Sequence, residues 1–110
     1  MWPYREGAFD EEQIEVTKKR MRSQIFYLLL YVDKREAEHY EHVDVAQAID
    51  NVLTWFSGLN TALNYPPALV KVISLLEAAK SEYGSESFDF GKYRKLILDA
   101  GNEVLKIGGE

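Results

Sequence analysis

Ile25-Phe26-Tyr27-Leu28-Leu29-Leu30-Tyr31-Val32 is the longest apolar run in the chain, and the fold class turns on how it is read. Alone, eight apolar residues fit a buried strand as well as a buried helix segment. The residues upstream decide. Ile14, Met21, Ile25, Leu28 and Val32 fall on one face at helical spacing, so the run continues a stripe already in phase. The reading is a first helix over residues 11–36. Asp10, followed three residues later by Gln13, is a capping-box pattern at its start, and Glu15 with Lys19 is a favourable pair one turn apart. Eight residues are also too few to cross a bilayer, which takes about 20 in a helix.

Downstream, the same period recurs three times. Asp44, with Gln47 at the box position and Val43 before it, predicts a second helix over 45–64. Its stripe is Val45, Ile49, Val52, Phe56, Leu59 and Leu63, widened by Ala48, Leu53 and Trp55. Tyr65-Pro66-Pro67 punctuates the chain, because the residue before a proline avoids helical geometry and proline suits a first helical position. A third helix follows over 67–83 with Leu69, Val72, Ile73, Leu76 and Tyr83, and Gly84 is a natural residue to end it. Asp89 caps a fourth helix over 90–107, striped by Phe90, Tyr93, Ile97, Ala100, Val104 and Ile107 and ended by Gly108-Gly109. Residues 37–43 are polar and without a stripe, a loop or a frayed extension of the first helix. No strand signal appears. Four helices cover most of the chain, against a base rate of roughly one third. Short connections favour antiparallel neighbours, so the expected fold is all-α: an up-down antiparallel four-helix bundle in one domain.

Upstream of the run lies residues 1–9, with Trp2, Pro3, Tyr4, Gly7 and Phe9. Pro3 and Gly7 disfavour a helix, and the aromatics suggest a short arm packed on the body or a loose tail. The first residues lack a basic segment followed by an apolar core, so no signal peptide is expected and a cytoplasmic protein is the default.

The chain has 110 residues, 13 Lys+Arg, 18 Asp+Glu, a net charge of −5 and no Cys. One domain of this size is the economical reading. The charge speaks against gripping nucleic acid or an anionic membrane. Without Cys there is no disulfide scaffold, no thiolate zinc site and no Cys nucleophile. Lys18, Lys19, Arg20 and Arg22 spread around a helix and read as a solvated face. Lys92, Lys95 and Lys106 share a face that Asp99 interrupts.

Three strings carry possible chemistry. Glu11-Glu12-Gln13-Ile14-Glu15 has the form EExxE, and Glu41-His42-Val43-Asp44 the form ExxD. The pair resembles the carboxylates with which all-α NTP pyrophosphohydrolases of the MazG type hold Mg²⁺ on a triphosphate, since clustered carboxylates suit hard cations. In that family they sit mid-helix and face inward. Here Glu12 points nearly opposite the stripe, Asp44 reads as a cap and Glu41 lies in a connection. Glu36, Glu38, His39, Glu41 and His42 offer Glu-x-x-His spacing on one segment, where a di-iron bundle needs it on two. Arg35 and His42 match the Arg-x(4–6)-His spacing of HEPN-type ribonucleases, with the acidic Glu36 where that family favours a neutral polar residue. There is no phosphate loop, GxGxxG, GxSxG or HExxH.

The reading reached is a small non-enzymatic bundle acting through protein–protein contact: a regulator, chaperone, immunity or inhibitor module. In size and class it is similar to bacteriocin immunity proteins, flagellar chaperones and phage-encoded inhibitors, an analogy rather than a motif match. No cofactor, metal, nucleic acid or membrane is expected. The alternative is the Mg-dependent NTP pyrophosphohydrolase with Glu11, Glu12, Glu15, Glu41 and Asp44. The expected interaction surface is Phe26, Tyr27, Leu30 and Tyr31, which leave the run without a polar face. Either the arm or a second copy of the chain would cover them, with a homodimer slightly preferred. Leu28, Val52, Phe56, Leu76, Ile97 and Val104 are the expected core.

Overall fold

The computed structural model describes residues 2–4, 7–9, 11–33, 35 and 37–108; for residues 2–4, 7–9, 11, 37 and 38 it describes the backbone. The elements are β1 (Trp2–Tyr4), β2 (Gly7–Phe9), α1 (Glu11–Leu30), α2 (Ala37–Tyr40), α3 (Val45–Ala62), α4 (Pro67–Tyr83) and α5 (Phe90–Val104). The four long helices close a ring, in which α1 packs on α5, α5 on α4, α4 on α3 and α3 on α1.

Polar contacts fix the directions. Lys18, early in α1, donates to the Leu105 carbonyl just past α5 at 3.1 Å, and Tyr93, early in α5, donates to the Leu28 carbonyl late in α1 at 2.7 Å. Those helices are therefore antiparallel. Lys71 at the start of α4 pairs with Glu103 at the end of α5, and Lys80 at the end of α4 pairs with Asp50 at the start of α3. The result is the up-down four-helix bundle. All six expected core residues are buried, Leu28, Phe56, Leu76, Ile97 and Val104 to within 1% exposure and Val52 at 6%.

Local rules hold where they are local. The Asp44 carboxylate accepts the Gln47 N–H at 3.1 Å, and Asp89 accepts from Gly91 and Lys92. Pro67 opens α4, where a missing N–H costs no bond. Gly84 ends α4 with φ −86°, and the left-handed positions among the described residues are Asn64 (φ 62°), Tyr65 (φ 59°) and Gly108 (φ 92°). The Tyr65 N–H closes back on the Asn60 carbonyl at 2.8 Å, satisfying an end of α3 before the two prolines redirect the chain.

Five expectations need correction. The second helix, expected to 64, ends at Ala62, because Asn64 turns left-handed. The first helix ends at Leu30, not 36. Val32 donates to the Leu29 carbonyl rather than one residue further back, and the Leu28 carbonyl takes the Tyr93 hydroxyl instead. Asp33 then turns the chain, accepting from the Arg35 backbone N–H at 2.9 Å and from its guanidinium at 2.7 and 3.1 Å. The polar stretch 37–43 includes a single helical turn, α2. The fourth helix ends at Val104, and tight turns carry the chain to Ile107, which is buried. Lastly, the amino-terminal arm is a two-stranded antiparallel hairpin, Trp2 opposite Phe9 and Tyr4 opposite Gly7, where no strand was expected. Three residues per strand are too few for the alternation that marks a strand in sequence. Whether the arm's aromatic side chains cover α1 lies outside the described residues, as does the Asp10 cap.

Candidate functional site

Among the described residues, the polar constellations of the sequence do not come together. Glu15 pairs with Lys18 at 3.3 Å near the start of α1, whereas Glu41 and Asp44 lie beyond its other end, about 22 Å of helix rise away. Glu12, Glu41 and Asp44 are exposed, and Asp44 is engaged as the α3 cap. The Glu11 side chain lies outside the described residues. Among the described residues no group of three His, Asp or Glu is placed to hold a metal ion. His39 and His42 are exposed, His39 with its ring 6.3 Å from Tyr40; Glu36 and the Glu38 side chain are outside the described residues. The Arg35 guanidinium is taken by Asp33, whose carboxyl it holds down at about 2 by hydrogen bonding.

The expected basic cluster also divides. Lys19, Arg20 and Arg22 are exposed, but Lys18 is buried at 9% exposure, a correction to the solvated reading. Its ammonium sits on the Leu105 carbonyl at the C-terminal end of α5, where the helix dipole favours a cation. No period in the sequence separates Lys18 from its neighbours, because its partner is 87 residues away.

Two grooves flank α1. One, of about 270 Å³, runs between α1 and α5 and is lined by Ile25, Phe26, Ile97, Leu98 and Gly101 with Arg22, Ser23 and Asn102 at its edges. Phe26 is 53% exposed and Leu98 36% exposed beside it. A Cβ at Gly101 would meet nothing closer than Ile25 at 4.0 Å, so the glycine is not demanded by packing and its effect is to leave the groove open. Of the four expected surface residues, Phe26 borders this groove, Tyr27 is exposed at 40%, and Leu30 and Tyr31 are half-buried. Tyr31 belongs to the other side of α1. It stacks on Tyr27 at 6.0 Å and meets the edge of Tyr40 at 5.0 Å. Burial, then the neighbouring Tyr40 and Tyr27, raise its hydroxyl above the usual tyrosine range, so it remains a donor.

The second groove, of about 390 Å³, lies between α1 and α3. Leu28 and Val52 form its floor, Ala48, Tyr31 and Trp55 its walls, and Arg20, Gln24 and Asn51 its polar lip. The Arg20 guanidinium sits over the Trp55 ring, 5.5 Å from the centroid. The sequence reading took Trp55 as a widening of a core stripe and Arg20 as a solvated charge. The available signal was the four-residue step Arg20, Gln24, Leu28, which places long polar groups in line with the core stripe of α1.

Comparison with known proteins finds no matching family model, curated protein or solved structure. Among the described residues no helix is long and apolar enough to cross a membrane.

Proposed function

We propose that this chain is a non-enzymatic bundle that acts by binding another protein through the α1–α5 face. The observation that supports this is the exposed Phe26 beside the groove that Gly101 leaves open, with Leu98 and Tyr27 extending the apolar surface. Aromatic side chains next to an apolar recess are the features that dominate binding energy at protein interfaces. The scattered carboxylates lend no support to the hydrolase alternative. A second copy of the chain is the simplest partner: projection and recess lie side by side on one face, as a two-fold contact requires.

Light scattering at high micromolar concentration tests this on the wild type, Phe26→Glu and Gly101→Gln. A dimer that both substitutions dissociate, with the helical content unchanged, supports the reading. A dimer that neither disturbs, or a monomer that shows no mass increase at any concentration reached, removes self-association through this face.

A further inference from the structure

The α1–α3 groove has a different character from the apolar face, and it poses a question of charge. The chain carries 18 acidic residues and a net charge of −5, yet none of the eight described residues that line this groove is acidic, and among them Arg20 carries the charge. Among the described residues Arg20 forms no ion pair and no hydrogen bond; its contact is with the Trp55 ring, over which its guanidinium carbon lies 5.5 Å from the centroid. Such a contact leaves the guanidinium N–H donors for other partners. It also restrains a long side chain, lowering the entropy lost when an anion docks.

The rest of the groove continues this arrangement. Arg20, Gln24 and Leu28 line it from α1 and Tyr31 from just past its end, and Ala48, Asn51, Val52 and Trp55 from α3. Because the helices run in opposite directions, Arg20 and Trp55 mark one end and Tyr31 and Ala48 the other, a span of about 16 Å counted along α1 and about 10 Å along α3. Between them lie an apolar floor and two amides. A volume of about 390 Å³ is within the range of small-molecule sites, and apolar walls with a few polar groups are their usual lining. A partner helix would instead need a continuous apolar strip, which Gln24 and Asn51 interrupt.

We infer that the α1–α3 groove binds a small organic anion with a planar apolar body, an aromatic carboxylate or sulfonate, whose anionic group pairs with Arg20. The body lies over Leu28, Ala48 and Val52 between Trp55 and Tyr31, and the amides of Gln24 and Asn51 serve polar substituents. This site is separate from the face proposed for protein contact.

The test uses the full chain and two fluorescent probes of similar shape, anilinonaphthalene sulfonate, which is anionic, and N-phenyl-1-naphthylamine, which is neutral. The expected result is one anionic probe per chain, with affinity falling as salt rises. Arg20→Gln weakens the anionic probe about tenfold or more, the scale of one charged hydrogen-bond pair, and changes the neutral probe far less. Arg20→Lys recovers part of the loss. Ala48→Trp, which fills the groove, removes both probes. Thermal melts of each variant confirm that the fold is retained, and the smaller Ala48→Phe repeats the test should Ala48→Trp melt early. Phe26→Glu leaves both probes bound. Anionic-probe binding that survives Arg20→Gln and Ala48→Trp, that disappears with Phe26→Glu, or that is absent from the wild type at millimolar probe overturns the assignment.

Discussion

The α4–α5 seam and the α1–α3 seam are built from the same heptad-like pattern and end up opposite in character. The first is the most extensive contact in the bundle; the second is the sparsest of the four neighbouring pairs. The buried positions of α4 are Ala68, Leu69, Val72, Leu76 and Ala79, and those of α5 are Tyr93, Ile97, Ala100 and Val104. Small residues among large ones let the two helices approach closely. Between α1 and α3 the outer layer is Arg20, Gln24, Asn51 and Trp55, whose polar ends must reach water. A seam that has to keep those ends solvated cannot close. It stays open as a groove, and α1 is held mainly from the α5 side, by Lys18 at one end and Tyr93 at the other.

The largest expected effect lies in the core of α3. Phe56 is fully buried, and Phe56→Ala is expected to cost about 3–5 kcal/mol in urea denaturation. A loss under 1 kcal/mol would mean the centre of the bundle is as loosely packed as the open seam. Next comes a matched pair of enlargements. Ala100→Leu in the closed seam forces a branched side chain into a filled layer and is expected to lower stability by about 1–3 kcal/mol. Ala48→Leu, on the wall of the groove, is expected to change it by less than about 0.5 kcal/mol or to raise it. Equal losses at the two positions would end the contrast.

Tyr93→Phe sharpens the account of how α1 is held. It leaves the Leu28 carbonyl without its 2.7 Å donor, at an expected cost of about 1–3 kcal/mol. Hydrogen exchange at the end of α1 should quicken more than at the end of α3; a uniform change would assign Tyr93 a packing role alone. Its hydroxyl, raised by burial above the usual tyrosine range, is not expected to ionise before the bundle unfolds.

The smallest effect concerns the turn that follows. The folded Asp33 carboxyl titrates at about 2, below its ordinary 3.8, because Arg35 hydrogen-bonds its charged form. A lowered folded value contributes stability above pH 3.8 that is lost as the pH falls through about 2. Asp33→Asn should therefore melt below the wild type at pH 7, and the gap should narrow towards pH 2. A gap independent of pH would assign the turn to shape rather than charge.

How far the sequence reached can be followed residue by residue. The phase of each helix and the starts at Asp44, Pro67 and Asp89 were legible, because a stripe and a cap are written in residues within a turn or two of each other. The six-residue core followed from the stripes. The candidate sites were less legible: Phe26 and Tyr27 were found as surplus apolar residues on α1, whereas the Arg20–Trp55 groove was missed. Whether a polar residue on a core stripe is buried, capped or stacked depends on what stands opposite it. The chain by itself determined four amphipathic helices and their order. Only the tertiary structure decided how α1 finishes at Leu30, where the Leu28 carbonyl takes a hydroxyl from 65 residues away. It alone buried Lys18 against a carbonyl 87 residues distant and left one seam open. Those outcomes rest on hydrogen bonds between partners far apart in sequence, which the spacing of residues along the chain does not record.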